Sequence, residues 1–303
     1  LTRAMYEARK LGEIAKEMKV ATQMGNQGTS RSGLRETAAL LKAGALGKVT
    51  EVYVWTNRPV WPQGIDRPQG TKPIPNGLHW EEWLGPAKAR PYYSGYHPFD
   101  WRGWWDFGTG ALGDMACHTV NMAYMGLDLK NPTSVEAEIS GHNGETYPSW
   151  SIIKFAFPAN DWRPAINLTW SDGGKRPGNE VTEGREVGRS GCVIVGEKGK
   201  FYSGKDYGND RQIWSKDPLE LPKVEFEQSP GHFVEWVRAI KGGPQAVSNF
   251  TDYAGPLTET ILLGNLAVWS GKKVEWDAKN LKPTNAPELM EIVRPEYRSG
   301  YSI

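Results

Sequence analysis

Apolar residues return at helical spacing through the first stretch of the chain. Ala4, Leu11, Ile14, Ala15 and Met18 recur inside a charged segment and predict an amphipathic helix over residues 3–18. Thr2 is placed to cap it, with Met5 rather than Glu at the capping-box position. Val20–Met24 then reads as a short strand and Gly25–Gly28 as a turn. Leu34, Ala38, Leu41 and Ala45 set a second helix over residues 30–45, closed by Gly44 and Gly47. At Val49–Trp55 the period changes to two, with Val49, Glu51 and Tyr53 against Thr50, Val52 and Val54, and a long strand is expected.

Residues 57–105 break the pattern. Eight prolines punctuate them, and seven of the 14 tryptophans lie between Trp55 and Trp105. A stretch this long without periodicity is either a proline-stiffened surface excursion or a binding loop. Helical spacing resumes at about 110–126. Strands follow at Thr133–Ser140, Trp150–Phe157, Ala165–Trp170, Cys192–Val195, Lys200–Tyr202 and Gln212–Trp214, separated by turn signals such as Asn131-Pro132 and Gly196–Gly199. Helices return at about 230–241 and 254–269. No crossover helices separate the strands, so the expected fold is α+β: a short α/β piece, then an open antiparallel sheet with helices on one face.

Composition narrows the class. The 303 residues carry 36 Lys plus Arg against 35 Asp plus Glu, a balance that excludes a nucleic-acid binder working through a global basic field. No apolar run approaches the ~20 residues of a membrane span. Two cysteines, Cys117 and Cys192, are too few for a disulfide framework.

Candidate chemistry gathers between Trp104 and His118. Gly108–Gly113 matches G-x-G-x-x-G to the letter, but the apolar strand that a dinucleotide fingerprint needs is replaced by Trp104-Trp105-Asp106-Phe107. Spacing supports another reading. Asp114 and His118 are four residues apart, one turn of a helix on one face, and Gly108 and Gly110 allow close backbone approach just before it. A carboxylate and an imidazole so placed suit general acid–base work. The plainer alternative is a helix-start Asp and a core His. No short ligand motif links Asp106, Asp114, His97 and His118 into a metal site, and Cys117 is expected to point away from His118.

Gly108–His118 resembles the G-G-G-x-L-x-D-x-G-x-H signature of the Gfo/Idh/MocA oxidoreductases. Val20–Gln27 resembles the strand and turn after that family's last nucleotide-domain helix, and Leu46-Gly47-Lys48-Val49 resembles its transition into the second domain. His79–Pro86 and Tyr96–Asp106 resemble a bacterial subgroup with an extended, Trp-rich C-terminal domain. Thr109 and Ala116 replace two glycines of the signature, and Asn121 stands where many members carry a second Asp.

The resemblance implies a Rossmann domain binding NAD or NADP joined to an open antiparallel sheet, oxidising or reducing sugars and polyols. It implies that residues 1–47 are the end of the nucleotide domain and 48–303 the substrate domain. It makes His118 and Asp114 catalytic candidates, Asn26 and Gln27 cofactor-side candidates, and Trp101, Arg102, Trp104 and Trp105 substrate-side candidates, with no metal. Partners implied are a small carbohydrate and a second copy of the chain through the sheet. The lysine of the family's Glu-Lys-Pro motif is absent, and Leu1-Thr2 resembles the residues next after that motif, so a fragment lacking most of the cofactor half is expected. An NAD-dependent glycosidase of the same superfamily and a non-catalytic carbohydrate-binding module are the alternatives.

Overall fold

Period-two alternation sorts the strands into a buried and an open face. The computed structural model describes residues 1–302. Its strands, in chain order, are β1 (Val49–Trp55), β2 (Ser134–Ile139), β3 (Ser151–Phe157), β4 (Ile166–Ser171), β5 (Gly191–Gly196), β6 (Gly199–Ser203), β7 (Gln212–Trp214), β8 (Val274–Asp277) and β9 (Lys282–Pro283). They form one sheet in the order β7-β6-β5-β1-β4-β3-β2-β8-β9. Val52, Val54, Val135, Ile153, Phe155, Leu168 and Ile194 point to the main core, while Glu51, Glu136 and Lys154 stand on the opposite face.

The helices are α1 (Met5–Glu17), α2 (Ser32–Lys42), α3 (Trp80–Leu84), α4 (Gly110–Thr119), α5 (Asn121–Leu127), α6 (Asn179–Thr182), α7 (His232–Ile240), α8 (Gly255–Ser270) and α9 (Met290–Val293). α8 is buried on nearly every side, lying on β2 and β3 with α1 and α4 packed over it. That position explains why its apolar residues show no single stripe. Among the described residues, no helix is long and apolar enough to cross a membrane.

Several expectations need correction. β1 and β4 run parallel, with Val52 opposite Leu168, although the other neighbours in the sheet are antiparallel. The chain between them carries the Trp-rich stretch, α4, α5, β2 and β3, long enough for a crossover that a local pattern does not reveal. Val20–Met24 is not a strand: Met24 N–H reaches the Ser248 carbonyl, but among the described residues no strand lies beside the segment to pair with it. The helix expected over 30–45 is a 3₁₀ turn, Gln27–Ser30, followed by α2, and that over 110–126 is α4 and α5 with a junction at Val120. The pattern does not predict β8 and β9.

In α1 the buried side is Met5, Ala8, Gly12 and Ala15, whereas Leu11, Ile14 and Met18 are exposed. Its cap is not Thr2: the Glu7 carboxylate accepts from Ala4 N–H at 2.9 Å and from Arg3 N–H at 3.0 Å. Helices do not take one face alone, because Trp55, Val181, Val193, Tyr202 and Trp214 make a second, smaller core under α6. Residues 57–105 have a core of their own as well, built from Trp80, Leu84, Tyr92, Tyr96 and Trp104.

Candidate active site

The turn into α4 is built by contacts that admit only glycine. Gly110 has φ +65°, and a Cβ there would lie 2.6 Å from the Tyr147 ring. A Cβ on Gly108 would lie 2.4 Å from the Arg102 carbonyl oxygen, and one on Gly113 would strike Thr109. The Cβ direction of each of these glycines is closed by protein, and the element before them is a 3₁₀ turn, Asp100–Gly103, rather than the strand that a dinucleotide-binding turn needs. Tyr147 Oη donates to the Gly108 carbonyl at 3.2 Å and Asn265 Nδ2 to the Thr109 carbonyl at 2.9 Å, which fixes the start of α4.

Beside this turn lies a cleft of about 360 Å³, walled by Arg3, Trp101, Arg102, Phe107, Gly110 and Asp114 among others. Asp114 pairs with Arg102, Oδ1 to Nε 3.3 Å. The guanidinium of Arg102 lies over the rings of Trp101 (4.6 Å) and Phe99 (4.7 Å) and donates to the Phe99 carbonyl at 3.1 Å, so the fork is held from several sides.

His118 sits one turn further along α4, just beyond the residues that wall the cleft. Its ring meets Tyr207 edge-on at 5.2 Å. Burial pushes the imidazole below its ordinary 6.5; the carboxylates of Asp114 and Asp206 pull it back up, and Arg58 acts with burial. The result is a neutral ring near pH 7. His118 Nδ1 and Asp206 Oδ1 are both buried and lack a hydrogen-bond partner among the described residues. The sequence pattern does not single out Tyr207, Asp206 and Arg58, since they reach the site from loops far along the chain in both directions. The one available signal is the glycine-flanked turn Gly204–Gly208.

The two cofactor-side candidates part company. Gln27 donates from Nε2 to Tyr207 Oη at 3.4 Å and so belongs to the rim around His118. Asn26 is fully buried, hydrogen-bonded to Ser248 through Oδ1, and its carbonyl accepts from Thr29 N–H and Oγ1. It holds the turn together. Asn121 does similar work: Nδ2 donates to Thr29 Oγ1 at 3.0 Å and Oδ1 accepts from Tyr253.

The substrate-side candidates divide too. Trp101 and Arg102 wall the cleft. Trp104 is fully buried, with Nε1 donating to the Gly95 carbonyl at 2.9 Å, and Trp105 stacks on Tyr147 at 3.8 Å in the main core. Both serve packing, because the loop turns back on itself and puts alternate rings inside. Asp106 pairs with Arg90, and among the described residues no three His, Cys, Asp or Glu gather as a metal site. Burial pushes the Cys117 thiol up to about 12, which leaves it unreactive.

Comparison with known proteins agrees with the signature. Residues 48–303 match the family described as "Oxidoreductase family, C-terminal alpha/beta domain". No curated protein matches the chain. Among solved structures, the WlbA dehydrogenase of Bordetella pertussis in complex with NADH and UDP-GlcNAcA superposes with a TM-score of 0.56 at 13% identity, covering 91% of this chain and 70% of that one. An aldose-aldose oxidoreductase of Caulobacter crescentus complexed with glycerol gives 0.53 at 15%, with coverage of 91% and 70%. A levoglucosan dehydrogenase with NADH and levoglucosan gives 0.54 at 14%, with coverage of 91% and 72%. With the matched C-terminal domain, the Gly108–His118 signature and this sheet, the chain belongs to the Gfo/Idh/MocA oxidoreductase family.

Proposed function

We propose that this chain is the substrate-binding and proton-handling part of an NAD- or NADP-dependent oxidoreductase that acts on a sugar, polyol or related carbohydrate by hydride transfer. The observation that carries the reading is Asp114, clamped by Arg102 at a cleft lined by Trp101, with the buried, unpartnered His118 Nδ1 one turn further along α4. Aromatic faces cover the C–H patches of a sugar while charged groups take its hydroxyls.

Oxidising a secondary alcohol removes a hydride from carbon and a proton from oxygen. A bound nicotinamide would supply the hydride acceptor. His118 takes the proton, and Asp114 with Arg102 orients the hydroxyls. Tyr207 lies edge-on to His118 and Gln27 hydrogen-bonds its hydroxyl. In this reading the pyrophosphate belongs on a nucleotide-binding domain whose closing part is residues 1–47, because Gly108–Gly113 follows a 3₁₀ turn and not the strand of a dinucleotide fingerprint. The exposed Leu11, Ile14 and Met18 and the unpaired Val20–Met24 support that assignment, because both would be covered by such a domain.

The test is steady-state kinetics on the chain produced with the coding sequence that precedes Leu1, using NAD and NADP with a panel of aldoses and polyols. His118→Ala should lower kcat by ~10²–10⁴-fold, the usual worth of a positioned acid–base group. Near-wild-type kcat in both His118→Ala and Asp114→Asn would reduce the pair to a structural role. Free sugar released from a glycoside without net NADH would identify the redox glycosidase instead.

A further inference from the structure

A second compartment opens directly from the candidate site. It measures about 460 Å³ and shares Arg3, Trp101 and Phe107 with the 360 Å³ cleft. Each lies within the range of about 300–1,000 Å³ typical of small-molecule sites. We propose that this compartment binds a second, neutral sugar ring, so that the substrate is a disaccharide or glycoside rather than a free monosaccharide. The proposal rests on the carbohydrate reading above and extends it.

Three distant segments build the compartment. From the Trp-rich stretch, Trp83 stacks on Trp80 at 4.9 Å and 12° and meets Phe107 edge-on at 4.9 Å, which leaves a half-buried indole held rigidly at the wall. From the start of the chain come Arg3 and Glu7. Arg3 Nη1 donates to the Trp105 carbonyl at 3.2 Å, and Glu7 is fixed by the α1 cap. From the end comes Tyr297, whose hydroxyl donates to Glu7 Oε1 at 2.9 Å. The tail carrying it is tied to the same stretch: Arg298 N–H reaches the Pro86 carbonyl and its guanidinium pairs with Glu81.

Charge chooses the ligand class. Arg3 and Glu7 put one charge of each sign on the wall without an ion pair between them, and Asp106 on the same wall is paired with Arg90. A phosphate or carboxylate would find no net positive field here, and a purely apolar group would strand the polar atoms. A sugar ring satisfies both, with its C–H face on Trp83 or Trp101 and its hydroxyls on Arg3 and Asp106. The polar groups are already held by other contacts, so little ordering cost falls on binding.

The test is calorimetric titration of the 303-residue chain with glucose, galactose, mannose and N-acetylglucosamine, each beside its β-linked disaccharide: cellobiose, lactose, mannobiose and chitobiose. The expected result is one pair whose disaccharide binds about tenfold or more tighter than the monosaccharide, a difference of about 1.4 kcal/mol. Trp83→Leu should remove that advantage. Because Trp83 also packs on Trp80, Ala87→Trp provides a second route: at a half-buried loop position it fills the compartment without deleting a contact. Binding without a disaccharide advantage in any of the four pairs, or an advantage that survives Ala87→Trp, overturns the second subsite and leaves the carbohydrate reading standing. Failure of every sugar to bind at millimolar concentration overturns both.

Discussion

His118 owes its state to its own helix and to what two distant loops bring against it. Burial holds the imidazole below 6.5 against the pull of Asp114 and Asp206, so each of these groups has a predictable sign. In the proton NMR titration of the folded chain, the His118 midpoint should lie below 6.5. Asp114→Asn and Asp206→Asn should each lower it further, and Arg58→Met should raise it. A wild-type midpoint at or above 6.5 would sink this account. The same sign governs linkage. A depressed folded value means that the His118 contribution to stability is present above pH 6.5 and is lost as pH falls through the folded midpoint. Gly110 is the other decisive residue. Alanine there must keep φ +65° and displace the Tyr147 ring, so Gly110→Ala should cost about 2–4 kcal/mol in urea denaturation. A loss under a few tenths would show that the α4 turn tolerates a Cβ.

Among the elements, α2 and α7 are joined by a buried ion pair that also steadies the turn under His118. Arg35 donates from Nη2 to Glu235, from Nε to the Thr29 carbonyl at 2.9 Å and from Nη1 to the Glu227 carbonyl at 3.1 Å. Glu235 further accepts from Ser229 Oγ and Val247 N–H. Both side chains are about nine-tenths buried or more. Removing one partner leaves an unpaired buried charge, so Glu235→Leu should destabilise by about 3–5 kcal/mol, whereas Arg35→Met with Glu235→Leu should recover most of it. Thermal denaturation of the single and double variants reads this; equal losses in both would place the cost in the backbone partners instead. The Trp-rich stretch teaches the same lesson at element scale. Its rings are spaced without periodicity because they pack on one another around Trp80 and Trp104, and Trp83 and Trp101 are the ones left to the two compartments beside α4.

Across the whole molecule, helices and the small second core leave the middle of one sheet face open. Glu51, Glu136, Lys154 and Lys273 line a shallow depression there, with both signs of charge side by side. The pairing of two copies through the sheet that the resemblance implies would use this face, with one copy's lysines set against the other's carboxylates. Sedimentation at micromolar concentration should report a dimer that Lys154→Glu converts to a monomer. A monomeric wild-type chain would remove the proposal.

Local periods and the chemistry on one helix are written in the order of the residues alone. β1 to β7, α1, α2, α7 and α8 are legible there because side-chain alternation is a property of neighbours in the chain. Asp114 and His118 are legible because one helical turn is four residues. Long-range packing settles whatever lies far apart in the chain: the parallel β1–β4 pair, the burial of Trp104, Trp105 and Asn26, and the arrival of Arg58, Asp206 and Tyr207 around His118. Val20–Met24 shows the reason most plainly. Its composition is that of a strand, but a strand needs a neighbouring strand along its length. Among the described residues the segment finds only the single Met24 N–H to Ser248 carbonyl bond to a distant backbone.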